Sequence, residues 1–174
     1  MPKLVRTNHL VRSFSFAYTA ATIGLHVYPG HPGAVAWALL ALQFLAYPQL
    51  LYARARFSAR PARAELDNLY LDAVLLGVWS AYLAFPTWIT FTLIGATTLN
   101  AAVNRGPAGT GIALLCSAAG AGIWVLLAGW EYRPHTSDLV TALAAMGALF
   151  YGGSVGCVVY RQTRRLAAAR DALR

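Results

Sequence analysis

Charged side chains are scarce in this sequence, and their scarcity excludes most water-soluble architectures. Only 11% of the 174 residues are charged, whereas a soluble domain usually carries about 25%. The long charge-free intervals are residues 13–53, 73–104, 106–130 and 139–160. Because a helix that crosses a bilayer needs about 20 mostly apolar residues, these intervals hold about six spans. Almost nothing is left for a soluble domain.

Cysteine is also rare, which argues against redox and metal chemistry. The two cysteines, Cys116 and Cys157, lie in apolar segments and form no CxxC motif, so we predict buried thiols and no metal or cofactor site. The net charge of +8 does not predict nucleic-acid binding. The basic residues lie at the ends of apolar segments, and no soluble face remains to carry a basic stripe.

The apolar segments predict an all-α integral membrane protein, a bundle of six transmembrane helices whose first partner is the lipid bilayer. The expected spans are residues 11–28, 34–52, 66–85, 87–104, 110–130 and a sixth from 138 onward, with Ser137 as its N-cap. Lysine and arginine gather at the N-terminus, in the loop 54–63, at Arg105 and in the C-terminal tail. Alternating helices place all of these on one side, so both termini are expected in the cytoplasm.

The C-terminal stretch continues the sixth helix without Gly or Pro and is basic and rich in Ala. Val159, Leu166 and Leu173 are spaced by seven, the step of a coiled-coil seam, and two heptads are too short to be stable alone. We therefore predict a transmembrane sensor or anchor domain over residues 1–160. Residues 161–174 are expected to begin a cytoplasmic linker helix that leads to an output domain absent from this sequence.

Small residues step by four along the sixth helix, at Ala144, Ala148, Gly152 and Gly156. Such a spacing lets two helices approach closely. Two interpretations stay open: packing within the bundle, or a homodimer contact directly above the coiled-coil seam.

Polar residues on the third helix form the most distinctive cluster of the chain. Glu65, Asn68 and Asp72 are three and four residues apart and share one helix face, and Asn100 and Asn104 lie at the same end of the next helix. An ionisable group inside a membrane is costly and needs a partner, so we expect Asp72 to meet Asn100 or a basic residue of the 54–63 loop. The cluster is interpreted either as a polar clamp between the third and fourth helices or as a proton-sensitive switch.

A second set of polar residues falls near the opposite, outer face. His26, His31, Glu131 and His135 lie there, and metal, quinone or pH sensing is conceivable for them. The alternative is that each is an ordinary interfacial residue. A ligand pocket open to the outside is expected there if the chain has one.

Six residues after the basic loop follow a recognisable order: Ala64, Glu65, Asn68, Asp72, Gly77 and Trp79. This order resembles the signature of the second type of bacterial membrane-associated sensor domain, the MASE group. The resemblance implies a multi-pass domain of the bacterial inner membrane that senses a stimulus and pairs C-terminal cyclase domains. The cyclases of such proteins make cyclic di-GMP or cyclic AMP.

The chain itself is expected to be non-catalytic. It has no Gly-Gly-Asp-Glu-Phe loop and no pair of metal-binding aspartates on soluble strands. The predicted function is therefore a sensory and dimerisation module that anchors and regulates a cyclase. The alternative is a small transporter or channel, which needs polar groups along a continuous path, whereas here they cluster at the two ends.

Overall fold

The structure, a computed structural model, describes residues 3–171, and the side chains of that range except those at 3–4, 162, 165–167 and 169. Within this range the chain is all-helical and forms no strand, as predicted. The long helices are α1 (Lys3–Val27), α2 (Ala34–Arg56), α3 (Pro61–Tyr82), a broken helix over Thr87–Ala128, and α6 (Asp138–Asp171). A short 3-10 turn, Tyr28–Gly30, follows α1.

The helix over Thr87–Ala128 consists of two helices joined by a reversal at Gly106. Gly106 has φ 62° and ψ −153°, a conformation that essentially only glycine adopts, and Pro107 opens the next helix, where its missing N–H costs nothing. Ala101 and Ala113 lie in the same buried cluster, although a straight helix would hold them about 18 Å apart. The chain therefore turns back here. We name the two limbs α4 (residues 87–105) and α5 (residues 107–128).

Helix α2 contains a π-helical segment, Leu42–Ala46, which ends two residues before Pro48. A proline ring clashes with the carbonyl group four residues earlier, which here belongs to Phe44. A wider π turn accommodates that clash without ending the helix. The side chains of Phe44 and Pro48 are both buried, so the irregular turn faces the bundle.

Helix α3 contacts α1, α2, α4 and α5, and α6 packs against α1 and α4. Two hydrogen bonds fix α6: the Tyr18 hydroxyl donates to the Leu143 carbonyl at 2.7 Å, and the Thr92 hydroxyl donates to the Ala144 carbonyl at 3.0 Å. The largest buried cluster takes residues from five helices: Phe16, Ile23, Leu40, Phe44, Leu76, Leu83, Ile89, Leu93, Val140 and Ala144.

The loops after α3 and α5 pair with each other at one end of the bundle. The Arg133 N–H donates to the Ala84 carbonyl at 2.7 Å, and the Thr87 N–H donates to the Pro134 carbonyl at 3.0 Å. The rings of Phe85 and Trp130 stack with centroids 5.0 Å apart. The two hairpins α3–α4 and α5–α6 therefore turn at the same end.

Length and apolar composition mark three stretches as able to cross a membrane: Ala34–Arg56, Thr87–Ala128 and Asp138–Arg161. Large apolar side chains cover the outside of the bundle, among them Leu115, Leu126, Leu127, Leu149 and Phe150. An exposed apolar surface of this kind requires contact with lipid or another protein.

The helix boundaries differ from the predicted spans mainly at two N-termini. Helix α1 begins at Lys3 rather than at residue 11, and α3 begins at Pro61 rather than at residue 66. The additional helical turns, at the start of α1 and of α3, contain polar residues that the hydropathy pattern placed outside the membrane spans. The predicted cap is present, since the Val140 N–H lies 3.5 Å from the Ser137 hydroxyl.

Candidate functional site

An arginine and two carboxylates meet inside the bundle. The Arg12 guanidinium on α1 lies between two residues of α3, with Nη1 3.2 Å from Glu65 Oε2 and Nε 3.1 Å from Asp72 Oδ2. The side chains of these residues are only 8%, 5% and 10% exposed. Buried ions are stable only when they are paired and hydrogen-bonded, so this contact joins α1 firmly to α3.

Helix α2 completes the site through a tyrosine. The Tyr47 hydroxyl donates to Asp72 Oδ1 at 2.9 Å, so both oxygens of Asp72 have a partner. The tyrosine directly follows the π-helical segment, whose extra residue changes the rotation of one half of α2 relative to the other. We call Arg12, Glu65, Asp72 and Tyr47 the buried ionic cluster.

A layer of polar contacts lies beside the ionic cluster. Asn68 is fully buried; it accepts a hydrogen bond from Arg54 Nη1 at 2.7 Å and donates to the Leu51 carbonyl at 3.3 Å. Asn8 Nδ2 donates to Glu65 Oε2 at 3.4 Å. These bonds tie the same three helices, α1, α2 and α3, at a second level.

The ionic cluster has more negative than positive charge. Two carboxylates share one buried guanidinium, and Glu65 Oε1 is buried without a hydrogen-bond partner in the described part of the chain. The second arginine nearby, Arg54, is half exposed and pairs with Asp67 at 3.8 Å. The free oxygen of Glu65 is available to accept a hydrogen bond from a further donor group.

The tertiary structure contradicts the expected partner of Asp72. Asn100 does not meet it; instead Asn104 Nδ2 donates to the Asn100 carbonyl and side-chain oxygens, both at 2.8 Å. The basic-loop residue Arg54 binds Asn68 and not Asp72. The reason is electrostatic, since a buried carboxylate is better compensated by a guanidinium than by a neutral amide. The polar cluster therefore connects α3 to α1 and α2 rather than to α4.

Two members of the ionic cluster were absent from the sequence-based prediction. Arg12 was assigned to the basic N-terminus, and Tyr47 to an apolar span. Asn8 and Arg12 are four residues apart and therefore share one face of a helix. This spacing was the signal in the sequence that could have indicated a polar contact of α1 inside the bundle. Nothing in the local sequence singles out Tyr47 among the aromatic residues.

The outer polar residues do not form one site. Glu131 pairs with Arg133, and the His31 ring lies 6.4 Å from that of Tyr28. No hydrogen bond or ion pair within residues 3–171 joins any two of His26, His31, Glu131 and His135. Within the described range, no three or more His, Cys, Asp or Glu side chains lie close enough together to hold a metal ion.

The small residues of α6 divide between two environments. Ala144 is buried against Thr92 of α4 and belongs to the core, whereas Gly152 and Gly156 have open space around them. Ala148 is half-buried between the two. Val159 is exposed, while the Leu166 side chain and Leu173 lie outside the described residues. The predicted stripe is thus a core contact at its start and a free face further along.

Helices α3 and α5 cross with their backbones in contact. A Cβ atom on Gly77 would collide with the backbone carbonyl of Ser117, and one on Gly120 would collide with that of Val74. Trp79, two residues after Gly77, packs edge-on against Phe44 of α2, with ring centroids 5.2 Å apart. The residues from Ala64 to Trp79 therefore make the contacts by which α3 packs against α1, α2 and α5.

A family model for the MASE2 domain matches residues 7–95, just over half of the chain. The chain belongs to the MASE2 domain family. The matched region contains α1, α2, α3 and the first half of α4, and with them every residue of the buried ionic cluster. MASE2 domains are membrane-associated sensor domains, which agrees with the apolar surface of the bundle. No curated protein and no solved structure matches the chain.

Proposed function

We propose that this MASE2 chain is the non-catalytic membrane input module of a nucleotide cyclase that makes cyclic di-GMP or cyclic AMP. In this proposal the module lies in the bacterial inner membrane, forms a homodimer and biases a C-terminal cyclase domain. The observation that carries it is the link between the buried ionic cluster and the last helix. Arg12 lies on α1, and on the same helix the Tyr18 hydroxyl donates to the Leu143 carbonyl of α6 at 2.7 Å.

Helix α6 is suited to transmit a change at the ionic cluster. It contains 34 residues, or about 50 Å at 1.5 Å per residue, while the apolar core of a bilayer is about 30 Å thick. About 20 Å of helix is therefore available beyond the bilayer. A small shift of α6 at Leu143, where α1 contacts it, would move a cytoplasmic domain attached to its end.

The proposed topology has six spans with both termini in the cytoplasm. The stretch Thr87–Ala128 contributes two spans because it reverses at Gly106, and each limb has about 20 residues, the length a span needs. Helices α1 and α3 carry more charge than a usual span, but their innermost charges, Arg12, Glu65 and Asp72, neutralise one another in part. The opposite end holds Arg133, which is paired with Glu131.

Cysteine labelling in intact cells tests this topology. In a background where Cys116 and Cys157 are alanine, Ser58→Cys marks the loop between α2 and α3, and Thr136→Cys marks the loop between α5 and α6. A membrane-impermeant maleimide should label the cysteine at 136 and spare the one at 58 until the cells are opened. Labelling of both positions in intact cells would contradict the six-span arrangement.

Measurement of the native protein tests the cyclase proposal. The natural polypeptide should be much heavier than the 18.7 kDa of this chain, and its membranes should synthesise a cyclic nucleotide. Replacing the module by an unrelated dimeric membrane anchor separates sensing from anchoring. Loss of regulation with retained synthesis supports a sensor; regulation that survives the replacement removes the sensing role. A natural mass of 18.7 kDa would contradict an attached cyclase.

The proposed dimer uses the free face of α6. Gly152→Leu and Gly156→Leu should reduce crosslinking of the chain in detergent, because leucine keeps the two helices apart. Ser154→Leu is the control: Ser154 is also exposed, but it lies about 160° around the helix from both Gly152 and Gly156. Equal crosslinking of all three variants and the unchanged chain would exclude this interface.

A further inference from the structure

A groove opens on the outer surface of the bundle, between α2, α3 and α5. Its volume is about 440 Å³, within the range of about 300–1,000 Å³ usual for small-molecule sites. Four aromatic side chains line it, namely Tyr47, Trp79, Tyr82 and Trp124. Trp79, Tyr82 and Trp124 follow one another edge-on at 5.2 Å, which forms a continuous aromatic wall. We call this cavity the aromatic groove.

One polar side chain lines the aromatic groove without a partner. The Nε2 atom of Gln43 is buried and has no hydrogen bond within the described residues. A buried donor without a partner destabilises the folded chain, and a ligand that accepts its hydrogen bond removes that cost. Gln43 belongs to the π-helical segment of α2, and such segments occur frequently at functional sites. The amide is available to donate a hydrogen bond to a molecule in the groove.

We propose that the aromatic groove binds a flat, bilayer-soluble carbonyl compound of the quinone type. Aromatic walls favour a planar ring by stacking and edge contacts, and a ring carbonyl is the acceptor that the Gln43 amide lacks. A lipid acyl chain fills apolar space equally well, but it offers no acceptor and gains nothing from a row of aromatic rings. The opening toward lipid gives a membrane-dissolved molecule direct access.

The aromatic groove shares a residue with the buried ionic cluster. Tyr47 lines the groove with its ring and donates its hydroxyl proton to Asp72. A ligand that moves this ring alters the hydrogen bond to Asp72. Asp72 pairs with Arg12 of α1, and α1 is hydrogen-bonded to α6 through Tyr18. The inference deepens the sensory function proposed above and rests on it for its physiological meaning, whereas binding itself is measured independently.

Calorimetric titration of menadione into this chain in detergent tests the site. Menadione is planar, has two carbonyl groups and carries no acyl chain. Gln43→Leu should weaken its binding by roughly tenfold, the equivalent of one hydrogen bond, and should leave stability equal or higher because an unpaired amide is removed. Gln49→Leu is the matched control, since it makes the same change on the exposed face of α2. It should bind menadione like the unchanged chain.

Three results would overturn the proposal. Equal binding by the Gln43→Leu variant and the unchanged chain would show that no carbonyl meets the amide. Displacement of menadione by hexadecane, which has no acceptor, at equal concentration would assign the groove to an acyl chain. Filling the groove with Val78→Trp should abolish binding, and unchanged binding there would place menadione elsewhere. If menadione binds as expected while cyclase output of the full-length protein never responds, the proposed function fails and the binding site stands.

Discussion

Nε of Arg12 lies 3.1 Å from Oδ2 of Asp72, and sixty positions of sequence separate the two residues. This contact joins the first helix of the chain to the third within an otherwise apolar bundle. An ion pair of this kind contributes little net stability when compared with apolar side chains of the same size. It does specify one arrangement of the helices, because every other arrangement would leave a charge unpaired in a low-dielectric interior.

Removal of the guanidinium should be the most damaging change in the ionic cluster. Arg12→Met leaves Glu65 and Asp72 as two buried carboxylates without a cation, and we expect a loss of about 3–5 kcal/mol in the free energy of unfolding. Arg6→Met is the control, because Arg6 lies on the same helix and is exposed. Denaturant titration of the purified chain measures both. Similar stabilities of the two variants would contradict the central role of Arg12.

Glu65 should tolerate an amide better than an apolar side chain. Glu65→Gln keeps one oxygen for Arg12 and Asn8, replaces the oxygen that has no partner, and removes one of two buried negative charges. We expect a change within about 1 kcal/mol, whereas Glu65→Leu leaves two donors unpaired and should cost about 1–3 kcal/mol. Thermal unfolding of both variants in one detergent compares them. A glutamine variant as unstable as the leucine variant would mean that the negative charge itself is required.

The crossing of α3 and α5 should not accept a methyl group. Gly77→Ala places Cβ against the Ser117 carbonyl, and because a backbone cannot move aside like a flexible side chain, we expect a loss of about 1–3 kcal/mol. Gly122→Ala, on α5 with no atom within 4 Å of the added carbon, should be neutral or slightly stabilising. Equal melting temperatures for the two variants would refute the close contact.

The reversal between α4 and α5 should depend on the glycine at its centre. At φ 62° and ψ −153° an alanine is strained by about 1–3 kcal/mol, so Gly106→Ala should lower the unfolding temperature. Gly111→Ala, a few residues further along with open space around it, serves as the control. Protease cleavage near residue 106 should also increase in the first variant. Unchanged stability would indicate that α4 and α5 form one straight helix.

Local sequence was sufficient to predict much of this fold. The charge-free intervals predicted an all-helical chain and the approximate place of its helices, because a long apolar segment satisfies its own backbone hydrogen bonds in lipid as a helix. The stripe of Glu65, Asn68 and Asp72 was predicted to share a face, and the structure places these three side chains together toward α1 and α2. Spacing along one helix defines a face but does not identify what that face meets.

The partners across the bundle were beyond the reach of the sequence. Asp72 was expected to meet Asn100 of the following helix, since adjacent antiparallel helices are the simplest neighbours. Its partners come instead from α1 and α2. A buried carboxylate is stabilised by a cation close to it, and the order of the helices around the bundle determines which cation lies close enough. The position of Tyr47 depends on a π-helical turn before Pro48, a local irregularity that the hydropathy pattern does not encode.

The sequence by itself determined that this chain is a helical membrane protein of a sensor family, since hydropathy and a short motif depend only on the order of residues. The tertiary structure alone decided where the charges pair, where α3 and α5 touch, and that the Gln43 amide faces an aromatic groove. These features depend on distances between helices. Such distances follow from the packing of the whole bundle, with its glycine contacts and its π-helical turn, and from no single segment of the chain.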